Sequence, residues 1–70
     1  MRLSTRNQLP GIITSIQEGQ VTAIVKVALD GSKQSITSSI TLEAAKDLGL
    51  VVGMPVTVLV KASAVMLAVE

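Results

Sequence analysis

There is no Phe, Tyr, Trp, Cys or His anywhere in this sequence of 70 residues. Whatever core forms must be filled by Val, Ile, Leu, Ala and Met. Nothing can staple it either, because a disulfide needs cysteines and a structural zinc site needs thiolates or imidazoles. A domain of this size keeps much of its surface in water, and such domains ordinarily draw on disulfides, a metal or oligomerisation for stability. With the first two excluded, a chain that is 49% hydrophobic points to subunit contacts. We therefore expect a single domain over residues 1–70 that is an obligate oligomer.

The same absences narrow the function. General acid–base catalysis draws on His or on converging carboxylates. The five acids, Glu18, Asp30, Glu43, Asp47 and Glu70, are spread over turns, a helix and the C-terminus, as solvated charges would be. No G-x-S-x-G, P-loop or G-x-G-x-x-G pattern occurs, and the expectation is a protein that is not an enzyme. Residues 1–8 are polar, carry Arg2 and Arg6, and lack a following apolar stretch, so they do not read as a signal peptide. The longest apolar runs, residues 56–60 and 64–69, are too short to span a bilayer. A cytoplasmic protein without a membrane partner is expected.

Periodicity predicts an all-β fold. Val21, Ala23, Val25, Val27 and Leu29 share one parity and Thr22, Lys26 and Asp30 the other, the period of a half-buried strand. Residues 10–18 form a strand before it, joined through Glu18-Gly19-Gln20. Asp30-Gly31-Ser32-Lys33 turns into a third strand over residues 34–40. Thr41 then caps a helix of about two turns, with Leu42, Ala45 and Leu48 on one side and Gly49 at its end. Pro55 opens a fourth strand in which Val56, Val58 and Val60 alternate with Thr57, Leu59 and Lys61. Val65, Leu67 and Val69 alternate with Met66, Ala68 and Glu70 in a fifth. Five short strands with one small helix between the third and fourth is the order of an OB-like Greek-key barrel.

Barrels of this shape often bind single-stranded nucleic acid, using aromatic platforms in a positive groove. This chain has no aromatic residue and a net charge of +1, and none of its six basic residues adjoins another. Nucleic-acid binding therefore ranks below anion binding. Two polar clusters carry the anion reading. Ser4-Thr5-Arg6-Asn7-Gln8 offers hydroxyls, a guanidinium and amides, and Lys61-Ala62-Ser63 sets a cation and a hydroxyl between two apolar runs. Forked guanidinium donors, hydroxyls and backbone N–H groups suit an oxyanion. Each cluster taken alone also reads as solvated surface, a terminus in the first case and a β-turn with a surface Lys in the second.

Together the clusters resemble the signature of the molbindin (Mop) family and its related TOBE-like modules. The resemblance rests on Ser4-Thr5-Arg6-Asn7-Gln8-Leu9-Pro10-Gly11, similar to the family's S-A-R-N-Q-L-x-G, and on Gly19-Gln20-Val21-Thr22-Ala23, Ile40-Thr41 and Leu48-Gly49-Leu50-Val51-Val52-Gly53. It continues through Val56-Thr57-Val58-Leu59-Val60-Lys61-Ala62-Ser63-Ala64-Val65-Met66-Leu67-Ala68, and so covers nearly the whole chain. It implies a cytoplasmic store of molybdate or tungstate, with the anion held between subunits of a hexamer built as a trimer of dimers. Ser4 and Arg6, with Thr5 and Asn7 beside them, would donate from the N-terminal arm, and Lys61, Ala62 and Ser63 from the neighbouring chain. Two departures stand out. Thr5 replaces the usual Ala and adds a hydroxyl. Ala44 replaces a frequent Ser near the helix start, where backbone N–H groups would remain to face the anion. The rival within binding proteins is an effector-sensing or dimerisation module acting on a partner protein.

Overall fold

A computed structural model describes residues 4–70; Arg2, one of the basic residues noted above, lies outside them. The elements run β1 (Asn7–Glu18), β2 (Thr22–Leu29), β3 (Ser35–Thr41), α1 (Leu42–Asp47) and β4 (Pro55–Val60), followed by a 3-10 turn over Ala62–Ala64. The strands form one antiparallel sheet in the order β3-β2-β1-β4.

The expected three-strand meander is present. Ala23, Val25 and Val27 of β2 are buried while Thr22 and Lys26 are exposed, so the alternation in the sequence becomes an inner and an outer face. Val21 shares their parity but precedes the strand and is 75% exposed. The first hairpin closes through Gly19 N–H to Thr22 C=O (2.8 Å) and the second through Leu29 N–H to Gln34 C=O (2.9 Å). The second loop turns at Gly31, whose φ of 73° is costly for any residue with a Cβ.

The helix begins and ends where its caps put it. Thr41 Oγ1 accepts from Ala44 N–H at 3.0 Å, and Gly49 takes the left-handed conformation at φ 65°. Ala45 is buried and Leu42 half-buried, but Leu48 is 65% exposed, so the apolar side of α1 is shorter than its spacing suggested.

Two strand boundaries differ from expectation. β1 starts at Asn7, ahead of Pro10. Its first half, Asn7 to Ile12, pairs with β4, and its second half, from Gly11 onward, pairs with β2. Pro10 pairs with Thr57 and its carbonyl accepts from Asp30 N–H at 3.0 Å just past the end of β2, at a position where the β2 ladder is only beginning and the missing N–H is tolerated. The fifth strand expected at Val65, Leu67 and Val69 does not form. Ala64 N–H bonds to Lys61 C=O at 2.9 Å and turns the chain outward, leaving Met66, Leu67 and Val69 at 91%, 93% and 98% exposure. Alternation makes a segment able to be a strand, but a strand also needs a ladder partner, and this segment reaches none in its own chain. The fold is a curled four-stranded sheet with one short helix rather than a five-stranded barrel.

The core sits on the concave face. Ile13, Val25 and Val27 form its centre, with Ile16, Ile40, Leu50, Met54, Val56 and Val58 packed around them. A bulge between Ile13 and Ser15 bends β1 over this cluster, and Thr14 Oγ1 donates to Lys26 C=O at 3.3 Å beside it. Gly11 lies where β1 changes partners. A Cβ at that position would stand 2.5 Å from the Ala28 carbonyl oxygen and 2.6 Å from Val27 Cγ1. Gly11→Ala must therefore move backbone. It is expected to cost about 1–3 kcal/mol and to lower the melting temperature by at least about 4 °C in a domain of this size. A calorimetric scan with an unchanged midpoint would contradict this account of Gly11.

Candidate functional site

The ladder between β1 and β4 runs from Ile12↔Pro55 to Asn7↔Val60. Arg6 is therefore one residue beyond the last pair on one strand, and Lys61 one residue beyond it on the neighbouring strand. Pairing two segments more than fifty positions apart brings the N-terminal cluster, Ser4, Thr5, Arg6 and Asn7, to the same end of the sheet as Lys61, Ala62 and Ser63.

Within this group Ser4, Arg6, Lys61, Ala62 and Ser63 are exposed, and Thr5 and Asn7 are half-buried. Asn7 Nδ2 donates to the Val60 carbonyl at 3.2 Å, and Gln8 Nε2 donates to the Thr5 carbonyl at 3.0 Å. The first bond pins the two strand ends to each other, and the second folds the arm back onto its own strand. Glu18 ends β1 at its far end, and Glu43 and Asp47 sit on α1 near that same end. An anion at this end of the sheet would be attracted by both cations, and Ser4 and Ser63 carry hydroxyls in the same segments.

Ala44 is placed differently. α1 follows β3, and Thr41, the last residue of β3, pairs with Thr22 at the start of β2, beside the Glu18 end of β1. The length of β1, twelve residues, lies between that end of the sheet and Arg6. The N–H of Ala44 is also already engaged by Thr41 Oγ1, and Leu42 N–H donates to Val21 C=O at 2.9 Å. Most of the donors expected at the start of α1 are thus spent on the fold itself.

Composition and spacing missed the structural parts played by Asn7, expected only as a donor to the anion, and by Gln8, which read as a member of a polar run. The Asn7 bond spans 53 positions and leaves no local trace. The Gln8 bond to a carbonyl three residues back is a local pattern that the run Thr5-Arg6-Asn7-Gln8 could have suggested. Among the described residues no group of His, Cys, Asp and Glu could hold a bare metal ion, and no helix is long and apolar enough to cross a membrane.

Known proteins resemble this chain in both sequence and fold. The TOBE domain family model matches residues 3–67. A probable molybdenum-pterin-binding protein of Haemophilus influenzae is 41% identical over 70 residues, covering all of both chains. Among solved structures, MopII from Clostridium pasteurianum superposes with a TM-score of 0.90 at 37% identity, over 97% of this chain and 100% of that one. ModG, a cytoplasmic molybdate-binding protein solved with molybdate bound, superposes at 0.81 and 44% identity, over 89% of this chain and 43% of its own. The chain belongs to the TOBE domain family and, within it, is a protein of the molbindin (Mop) type.

Because Asn7 ties the two strand ends, Asn7→Ala leaves the Val60 carbonyl without its side-chain donor and loosens the end of the sheet that carries both cations. The expected loss is about 0.5–1.5 kcal/mol, read by urea denaturation. An unaltered midpoint would mean that the bond holds nothing together.

Proposed function

We propose that the protein binds molybdate as the intact tetrahedral dianion, using Ser4, Thr5, Arg6 and Asn7 together with Lys61, Ala62 and Ser63, and so stores or buffers molybdenum in the cytoplasm. Tungstate has the same shape and charge and belongs to the same reading. The observation that carries it is the pairing of Asn7 with Val60, which sets a guanidinium and an ammonium on adjacent strand ends among hydroxyl-bearing segments. The names of the relatives support it from outside: a molybdenum-pterin-binding protein and a molybdate-binding protein with its anion in place. We place the sites where subunits of a hexamer meet, since a dianion shared between chains neutralises cations that neither chain buries alone, and its binding then stabilises the assembly. Ala44, at the other end of β1, belongs to such a site only through a second subunit.

Each charge-assisted donor is worth about 1.5–3 kcal/mol, and about 1.4 kcal/mol is a factor of ten in affinity. Arg6→Ala and Lys61→Ala are each expected to weaken molybdate binding at least tenfold. The measurement is isothermal titration with molybdate, in the presence and absence of excess sulfate, with native mass read on the same sample. Saturable binding that sulfate does not displace, lost in both variants, is the expected outcome. Unchanged affinity in both variants would remove the site assignment. No binding by the unaltered protein would remove the function.

A further inference from the structure

Three residues of this chain carry a side-chain carbonyl carbon that the next backbone nitrogen could attack to close a five-membered ring: Asn7, Asp30 and Asp47. Attack needs that nitrogen to be unbonded and unshielded, and the fold treats the three differently. Asn7 lies in the ladder with β4, its side-chain amide donating to Val60 C=O at 3.2 Å, and Gln8 after it is paired with Leu59. Asp47 ends α1, and the N–H after it, on the bulky Leu48, donates to Ala44 C=O at 3.0 Å. Asp30 is followed by Gly31. Both are exposed in the loop between β2 and β3, and Gly31 N–H has no hydrogen-bond acceptor among the described residues. A Cβ at Gly31 would meet nothing within 4 Å, so the approach is open as well. The left-handed turn that calls for glycine there, at φ 73°, thus also supplies the least shielded nitrogen a chain can have.

We propose that the Asp30–Gly31 bond is a site of spontaneous modification, at which the folded protein converts aspartate to isoaspartate. The Gly31 nitrogen bonds to Asp30 Cγ, and one carboxyl oxygen leaves as water, taking the amide proton and the carboxyl proton with it. The product is a cyclic imide. Water then opens the imide at either of its two carbonyls. Opening at Cγ restores aspartate. Opening at the backbone carbonyl leaves the main chain running through Cβ and Cγ, one atom longer, with the former backbone carbonyl now a free carboxylate. No reactant other than water is consumed or released. The bonds that frame the loop do not resist the change. Asp30 N–H donates to Pro10 C=O at 3.0 Å and Leu29 N–H to Gln34 C=O at 2.9 Å, and neither uses the Asp30 carboxyl, the Asp30 carbonyl or the Gly31 N–H. The chain can therefore stay folded while its second hairpin loop is altered. This inference holds whatever the anion site binds.

The test keeps the full folded chain for several weeks at neutral pH and body temperature in heavy-oxygen water, because each ring opening fixes one solvent oxygen in the residue. Trypsin digestion in ordinary water then places Asp30 and Asp47 in separate peptides, residues 27–33 and 47–61, whose masses report the label. Label is expected in peptide 27–33 at a rate at least about tenfold that in peptide 47–61, since reaction at Asp47 waits for the helix end to open. Electron-transfer fragmentation of the first peptide should show isoaspartate at position 30. Asp30→Glu, which would have to close a six-membered ring, should abolish the label there. An unlabelled peptide 27–33 from the folded chain would overturn the proposal, and a urea-unfolded sample that does take up label would show the loop to be what protects it. Equal label in the two peptides would overturn the selection of Asp30 by the fold, and label persisting in Asp30→Glu would overturn the assignment to that residue.

Discussion

β1 is asked to serve two partners. Its first half is bonded to β4 and its second half to β2, with Gly11 and Ile12 common to both ladders. A strand of twelve residues is long for so small a domain, and it does both jobs only by bending. The bend is made by the bulge after Ile13 and by the close approach that Gly11 allows to the Ala28 carbonyl. Ile13 is drawn into the concave face by the same bend, and it is the one large side chain there with essentially no exposure, 1%. The loop ahead of β4 is fastened to this point as well, through Ile13 N–H to Met54 C=O and Gly53 N–H to Ile13 C=O, at 3.0 and 2.8 Å. Core, curl and the return of β4 all depend on one strand's ability to change neighbours midway.

The aliphatic composition sets how much this arrangement can hide. With no aromatic side chain to cover a wide area, the buried hydrophobics are Ile13, Ala23, Val25, Val27 and Ala45. Leu48, Val51 and Val52, between α1 and β4, remain largely exposed. Close packing of small residues is efficient per atom but short in reach, so one curled sheet cannot bury half of its residues by itself.

Those elements whose signals are local were legible in the sequence. β2 and β3 follow from alternation and flanking turns, and α1 follows from the Thr41 cap and the Gly49 stop, because those signals act within a few residues. The parts that escaped are set by partners distant in the chain. The early start of β1 depends on β4, the role of Gly11 depends on Val27 and Ala28, and the absence of a strand at residues 65–69 depends on there being no free ladder within reach. The candidate site divides in the same way. Arg6 and Lys61 came to notice as residue types and through the family signature, whereas their adjacency depends on the register of a ladder that no local pattern encodes. Ala44, singled out by the same signature, lies beyond the reach of this cluster in its own chain.

That adjacency orders events during synthesis. The meander of β1, β2 and β3 joins neighbours in sequence and can form as soon as β3 has left the ribosome. β4 must follow before Lys61 can stand beside Arg6, and pairings of such long sequence separation carry a high closure cost and form late. A growing chain therefore passes through a stage in which the meander is paired but Arg6 has no neighbouring strand end to bring Lys61 beside it. The proposed anion site is therefore withheld from a chain in which β4 has not yet paired with β1.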